Sequence, residues 1–136
     1  MLSLEEITTK YKLNLFTTDD YYLANSVIII NIFNSKKLKQ KYYHSTNSKI
    51  LNIIGLYYQY VKLNYIKAVR FYKRSIAKND SYAMINLAYY YEDIELNYIL
   101  MKKYYLIAIK ADNSDAINNL AYYYQYIVLN YDLMTK

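Results

Sequence analysis

SYAMINLAYYYEDIELNYILMKKYYLIAIKADN, residues 81–113, decides how this chain reads, because it is written more than once. It returns from residue 114 as SDAINNLAYYYQYIVLNYDLMTK, and a looser copy, SKILNIIGLYYQYVKLNYIKAVRFYKRSIAKND, occupies residues 48–80. The register is a constant 33 residues without a gap: Ser48, Ser81 and Ser114 align, as do Tyr58, Tyr91 and Tyr124, and Asn64, Asn97 and Asn130. A fixed period of this length marks a repeat architecture, in which each unit buries its apolar face only by stacking on its neighbours.

Each unit reads as two helices. Ser48, Ser81 and Ser114 are the expected N-caps of the first, since a hydroxyl accepts from the open amides of a first turn. Ala83, Leu87, Ala88 and Tyr91 then fall on one helical face. Asn64, Asn97 and Asn130 are expected to cap the second helix, whose face carries Met101, Tyr104, Tyr105, Ala108 and Ile109. A short polar link, residues 92–97, joins the two. Small residues stand where helices approach closely: Gly55, Ala88 and Ala121 on first helices, Ala68 on a second. Gly55 is the only glycine of the chain, and its place in that series predicts close packing rather than a turn. The expected fold is all-α, a solenoid of stacked helix hairpins with a 33-residue period.

KAVRFYKRSI, residues 67–76, resembles the second-helix signature of Sel-one-like repeats, a branch of the tetratricopeptide superfamily. That signature runs Lys-Ala, two residues, Trp-Tyr, two residues, Ala-Ala. Ile54-Gly55 with Tyr58 is similar to the first-helix Leu-Gly and Tyr, and the middle unit follows with Leu87-Ala88, Tyr91, Met101, Tyr104-Tyr105 and Ala108. The likeness covers residues 48–136 and departs from the family in its links. EDIELN and its equivalents replace a Gly-rich link, and Asp112-Asn113 or Asn79-Asp80 replace the terminal glycine. The AYYY and KKYY wording also resembles repeats common in giant DNA viruses of amoebae. The resemblance implies a protein-binding scaffold without catalysis, acting in the host cytoplasm if viral.

Within a single domain of 136 residues, the expected divisions are irregular N-terminal helices over 1–46, then repeats at 48–80 and 81–113, then a truncated repeat at 114–136. Ser3 with Glu6 suits a capping box. Thr18 or Asp19 is expected to open a second helix and Ser35 a third, the last two forming either a cap or a degenerate repeat. The last unit breaks off inside its second helix. The apolar face of Ala116, Leu120, Ala121 and Tyr124 is then short of cover, which predicts self-association or fraying.

Tyr, Asn, Ile and Lys make up half of the residues, all with AT-rich codons, so the bias reads first as genome composition. The chain has no Cys and no Pro, which excludes a disulfide framework and suits unbroken helices. The apolar run at residues 27–33 is too short to span a bilayer, and the N-terminus lacks a basic-then-apolar signal. An intracellular, cytoplasmic protein is expected.

Chemistry is sparse. His44 is the only histidine and reads as a residue favourable to a helix C-terminus. Glu92, Asp93 and Glu95 read as a solvated link, because a hard cation needs more oxygen ligands at fixed spacing. One glycine cannot build a phosphate loop. No catalytic, metal or cofactor residue is expected, and the chain is read as no enzyme.

Binding is the remaining class. Consecutive helical residues lie about 100° apart, so one of each three tyrosines faces the core; the resemblance puts Tyr91 and Tyr124 there, which leaves Tyr89, Tyr90, Tyr122 and Tyr123 partly exposed, in rows suited to a peptide groove. Charge is segregated: residues 21–79 carry eleven Lys or Arg and no acid, while residues 80–136 carry four bases and seven acids. Lys67, Arg70, Arg74 and Lys78 form one stripe on a second helix, a candidate docking face for an acidic segment or a phosphate backbone. The basic stretch 36–78 with exposed tyrosines would also suit single-stranded nucleic acid, the alternative to a protein partner.

Overall fold

The computed structural model describes residues 43–60 and 62–128, and every regular element among them is helical. The elements are α1 (Ser48–Tyr60), α2 (Tyr65–Ile76), α3 (Ser81–Tyr90), a π-helical turn (Tyr91–Glu95), α4 (Tyr98–Lys110), α5 (Ser114–Tyr122) and a second π-helical segment (Tyr123–Val128). The helices expected within residues 1–42 lie outside the described residues. So does the cap expected at Asn130, and with it the self-association expected of an incomplete second helix. The chain divides into two compact units, Met1–Lys78 and Asn79–Lys136. In the first, α1 packs against α2; in the second, α4 packs against both α3 and α5.

The first helices start one residue earlier than the serines suggest. Asn47 Oδ1 accepts from the amides of Lys49 and Ile50 at 2.9 and 3.3 Å, and Asp80 Oδ1 from those of Tyr82 and Ala83 at 3.0 and 3.2 Å. Asn113 Oδ1 accepts from Asp115 N at 3.1 Å. An Asx side chain caps at least as well as serine and stands one step ahead of it here, which leaves each serine as the first helical residue. The serines serve elsewhere: Asn113 Nδ2 donates to Ser81 Oγ at 2.9 Å, and the Ser48 carbonyl accepts from Ser75 Oγ at 2.7 Å. The second helices begin as expected, with Asn64 and Asn97 each accepting at 3.1 Å from the amide three residues on.

The glycine-poor links are closed by left-handed residues. Leu63 and Leu96 have φ 53° and 54°, and Asn79 and Asp112 have φ 64° and 61°. Each pair is one period apart. Behind the leucines, Asn64 N donates to the Tyr58 carbonyl and Asn97 N to that of Tyr91, both at 2.8 Å, the long-range closure that ends a helix on a left-handed residue. Asn and Asp tolerate this conformation, whereas a leucine Cβ is strained there by roughly 1–2 kcal/mol. Leu63 is exposed, so its side chain contributes little packing. Leu63→Gly is expected to raise stability by roughly 0.5–1 kcal/mol, the relief of strain less the added entropy of the unfolded chain. A urea melt reads this directly, and a loss of stability would mean that the Leu63 side chain packs more than its exposure suggests.

Side-chain packing repeats on the same period. Tyr58 stacks on Phe71 at 5.6 Å and Tyr91 on Tyr104 at 5.8 Å, with interplanar angles of 18° and 17°. Ala68, Tyr72 and Ser75 on α2 are fully buried, and so are Met101, Tyr105 and Ala108 at the matching places of α4. Gly55 is a close-packing residue, as its place in the series predicted. A Cβ built there would lie 2.6 Å from the Tyr72 ring and 3.3 Å from the Ala68 carbonyl oxygen.

Candidate functional site

Within the Asn79–Lys136 unit, a cleft of about 350 Å³ opens where the π-helical turn leads from α3 into α4. Tyr89, from the last turn of α3, and Tyr122, at the end of α5, both line it. Tyr98 and Tyr105 from α4 and Asn119 from α5 complete the helical walls, and Glu92, Asp93 and Leu96 come from the turn and its left-handed end. A π-helical turn is wider than an α-turn and is common at functional sites.

Glu92 stands apart electrostatically. Its Oε2 is shut off from solvent and accepts no hydrogen bond. Partial burial pushes its carboxyl pKa up, and the neighbouring Asp93 adds to the shift. The third acid of the turn is already engaged, since Glu95 Oε1 accepts from the Tyr90 hydroxyl at 2.8 Å. Tyr89 shows the same negative surroundings: its phenol pKa is raised by partial burial, then by Asp93 and Glu92. For Glu92 the sign follows from proton linkage. A carboxyl that binds its proton more tightly in the folded state than in the unfolded one lowers stability as pH rises through its folded pKa. Ionising Glu92 therefore works against the fold.

The expected tyrosines divide. Tyr89 and Tyr122 are open, at 44% and 58% exposure, and share the cleft. Tyr90 and Tyr123 are buried, contrary to the outward placement expected for them. The one-face reading fails for Tyr90 because α3 is buried nearly all round, from Ala83 through Ala88, so a single apolar stripe does not describe it. Tyr123 is held against Tyr98, with ring centroids 5.3 Å apart, and lies under the ammonium of Lys102. Tyr124, expected inward, is 49% exposed. Among the described residues no second helix of its own unit stacks on it as Tyr104 stacks on Tyr91.

The basic stripe divides as well. Arg70 is exposed on α2, and Lys78, also exposed, lies past the end of that helix at Ile76 rather than on it. Arg74 is half-buried and turned to structure: its guanidinium donates to the carbonyls of Tyr43 and Ser45, each at 3.4 Å, and lies 5.1 Å from the Phe71 ring centroid. The Lys67 ammonium sits 5.3 Å above the Tyr58 ring. Two of the four charges therefore stabilise the first hairpin through carbonyl and cation–π contacts.

The solvated link expected at Glu92, Asp93 and Glu95 holds for Asp93 and Glu95, which are exposed, whereas Glu92 is half-buried against the cleft. A signal was present in the singularity of Glu92 and Asp93: the matching positions of the other units hold Gln59-Tyr60 and Gln125-Tyr126. In the first unit Gln59 is spent on structure, its Oε1 accepting from the buried Tyr72 hydroxyl at 2.6 Å. Among the described residues no group of three His, Asp or Glu comes together as a metal site, and no helix is long and apolar enough to cross a membrane. Comparison with known proteins finds no family model, no curated protein and no solved structure that matches the chain.

Proposed function

We propose that this chain is a non-catalytic adaptor that binds another protein, built of Sel-one-like hairpins stacked as a tetratricopeptide-type solenoid. The hairpin reading draws support from features that recur one period apart: the left-handed residues, the Asx caps and the stacked Tyr58–Phe71 and Tyr91–Tyr104 pairs. The binding reading rests on one observation. Tyr89 and Tyr122, equivalent residues of successive units, are both exposed and line the same cleft. Tyrosine supplies broad contact area at low entropic cost, which suits it to anchor a peptide.

Single-stranded nucleic acid fits this cleft less well, because its lining holds two carboxylates and no Lys or Arg, the wrong sign for a phosphate backbone. The test is affinity capture with quantitative mass spectrometry, run on the natural chain and on Tyr89→Ala and Tyr122→Ala. A recurrent partner should bind each variant more weakly, by on the order of 1–2 kcal/mol, while melting temperatures barely move. Equal capture by all three proteins would sink the reading. Binding of a fluorescent single-stranded oligonucleotide, lost in the same variants, would replace it with the nucleic-acid one.

A further inference from the structure

The adaptor reading leaves open what chemistry the partner presents, and the lining of the cleft answers this. Four of its lining residues are tyrosines, and the charged ones are the acids Glu92 and Asp93. A tyrosine ring attracts a cation through the negative potential of its face. A half-buried carboxylate with one oxygen lacking a donor is costly to keep ionised, and a cation placed beside it offsets that cost. Glu92 Oε2 has no hydrogen-bond partner, whereas Glu95 beside it accepts from Tyr90. The surrounding stretch is acidic too, with seven acids against four bases over residues 80–136. A volume of about 350 Å³ lies near the small end of ligand pockets, roughly 300–1,000 Å³, and suits one long side chain rather than a folded surface.

We propose that the cleft receives a cationic side chain of the partner protein, a lysine ammonium or an arginine guanidinium, with Glu92 as its counter-ion and the tyrosines as its walls. This deepens the adaptor reading and rests on it. Glu92 forms the charge-assisted contact, Asp93 adds long-range attraction, and Tyr89, Tyr98 and Tyr122 supply cation–π and stem contacts. The acids appear in the middle unit alone because that is where the partner's charged residue inserts. The glutamine at the same position of the first unit closes on its own tyrosine instead.

The experiment is an NMR titration of the whole chain with Nα-acetyl-lysine methylamide. The norleucine analogue and the Nε-acetylated lysine analogue, both uncharged, serve as controls. The lysine amide is expected to shift the ring signals of Tyr89, Tyr98 and Tyr122, with a dissociation constant on the order of 1–10 mM, as suits a single side chain. The controls should shift them little. Glu92→Gln keeps the shape, removes the charge, and should weaken the lysine amide at least about tenfold while raising the melting temperature at neutral pH. Asp93→Asn, less enclosed, should weaken it by about two- to threefold. Norleucine binding as well as lysine would overturn the proposal, as would a lysine affinity unchanged in Glu92→Gln or no shift at about 50 mM ligand. The two readings fail separately. Partner capture lost in Tyr89→Ala with no lysine response removes the cationic side chain and leaves the adaptor. A lysine response with capture indifferent to Tyr89 and Tyr122 removes the partner protein as its source.

Discussion

Tyr72→Ala is expected to lower the stability of the Met1–Lys78 unit by roughly 3–5 kcal/mol, the range for truncating an enclosed aromatic. Tyr72 has no exposed surface, its hydroxyl donates to Gln59 Oε1, and its ring fills the notch left by the missing side chain of Gly55. These contributions separate by substitution. Tyr72→Phe keeps the ring and strips Gln59, itself buried, of that donor, for about 1–3 kcal/mol. Gly55→Ala pushes a methyl to within 2.6 Å of a ring with nowhere to go. Overpacking of that kind costs about 1–3 kcal/mol, offset by up to about 1 kcal/mol from the better helix propensity of alanine. In the double variant Gly55→Ala/Tyr72→Ala the new methyl enters the space the ring leaves, so the total should fall short of the sum. Chemical denaturation of all four proteins closes the cycle. A stabilising Gly55→Ala in the natural background would show that the two helices do not meet there as closely as the distance implies.

The same residues show why part of the structure was legible in the sequence and part was not. Gly55 and Tyr72 belong to the repeating pattern, and pattern reports what every unit must do: bury a face, cap a helix, bring two helices together. Asn64 and Asn97 could be placed as caps for that reason. The first-helix caps were misplaced by one residue because Ser81 and Asp80 are both good caps, and only backbone geometry decides between them. The left-handed leucines were illegible, since nothing in the leucine side chain favours positive φ. What makes Leu63 and Leu96 adopt it is the closure of the chain onto Tyr58 and Tyr91.

The cleft was harder to read because it departs from the pattern. Periodicity draws attention to what recurs, whereas Glu92 and Asp93 occur in one unit only. Tyr89 and Tyr122 stand outward, as the resemblance implied. Tyr90 does not, because that reading assumes one buried face and α3 is enclosed on nearly every side. Charge summed along the chain drew attention to residues 21–79, where two of the four stripe residues prove to be held by the hairpin itself. The smaller acidic excess of residues 80–136 coincides with the cleft.

Tyr91→Ala should destabilise the Asn79–Lys136 unit by roughly 3 kcal/mol, at the low end for a buried aromatic because its ring is not wholly enclosed. Its ring stacks on Tyr104 and meets Tyr90 edge-on at 5.3 Å, and aromatic pairs of this kind contribute about 0.5–1.5 kcal/mol beyond burial. Burial also raises its phenol pKa, with Tyr104 and then Glu95 adding to the shift. Its position gives the loss a second consequence. The Tyr91 carbonyl accepts from the amides of Leu96 and Asn97, so this residue begins and closes the turn that carries Glu92 and Asp93. Without the ring to hold it against α4, the turn loosens and the cleft loses its shape. Tyr91→Ala should therefore lower both melting temperature and partner affinity, whereas Tyr89→Ala and Tyr122→Ala lower affinity alone. Tyr91→Phe separates the two roles, because it keeps the stack and the backbone closure while removing only the hydroxyl, and should bind as the natural chain does. If Tyr89→Ala proves as destabilising as Tyr91→Ala, then the open tyrosines are structural, and the cleft is a packing feature rather than a binding site.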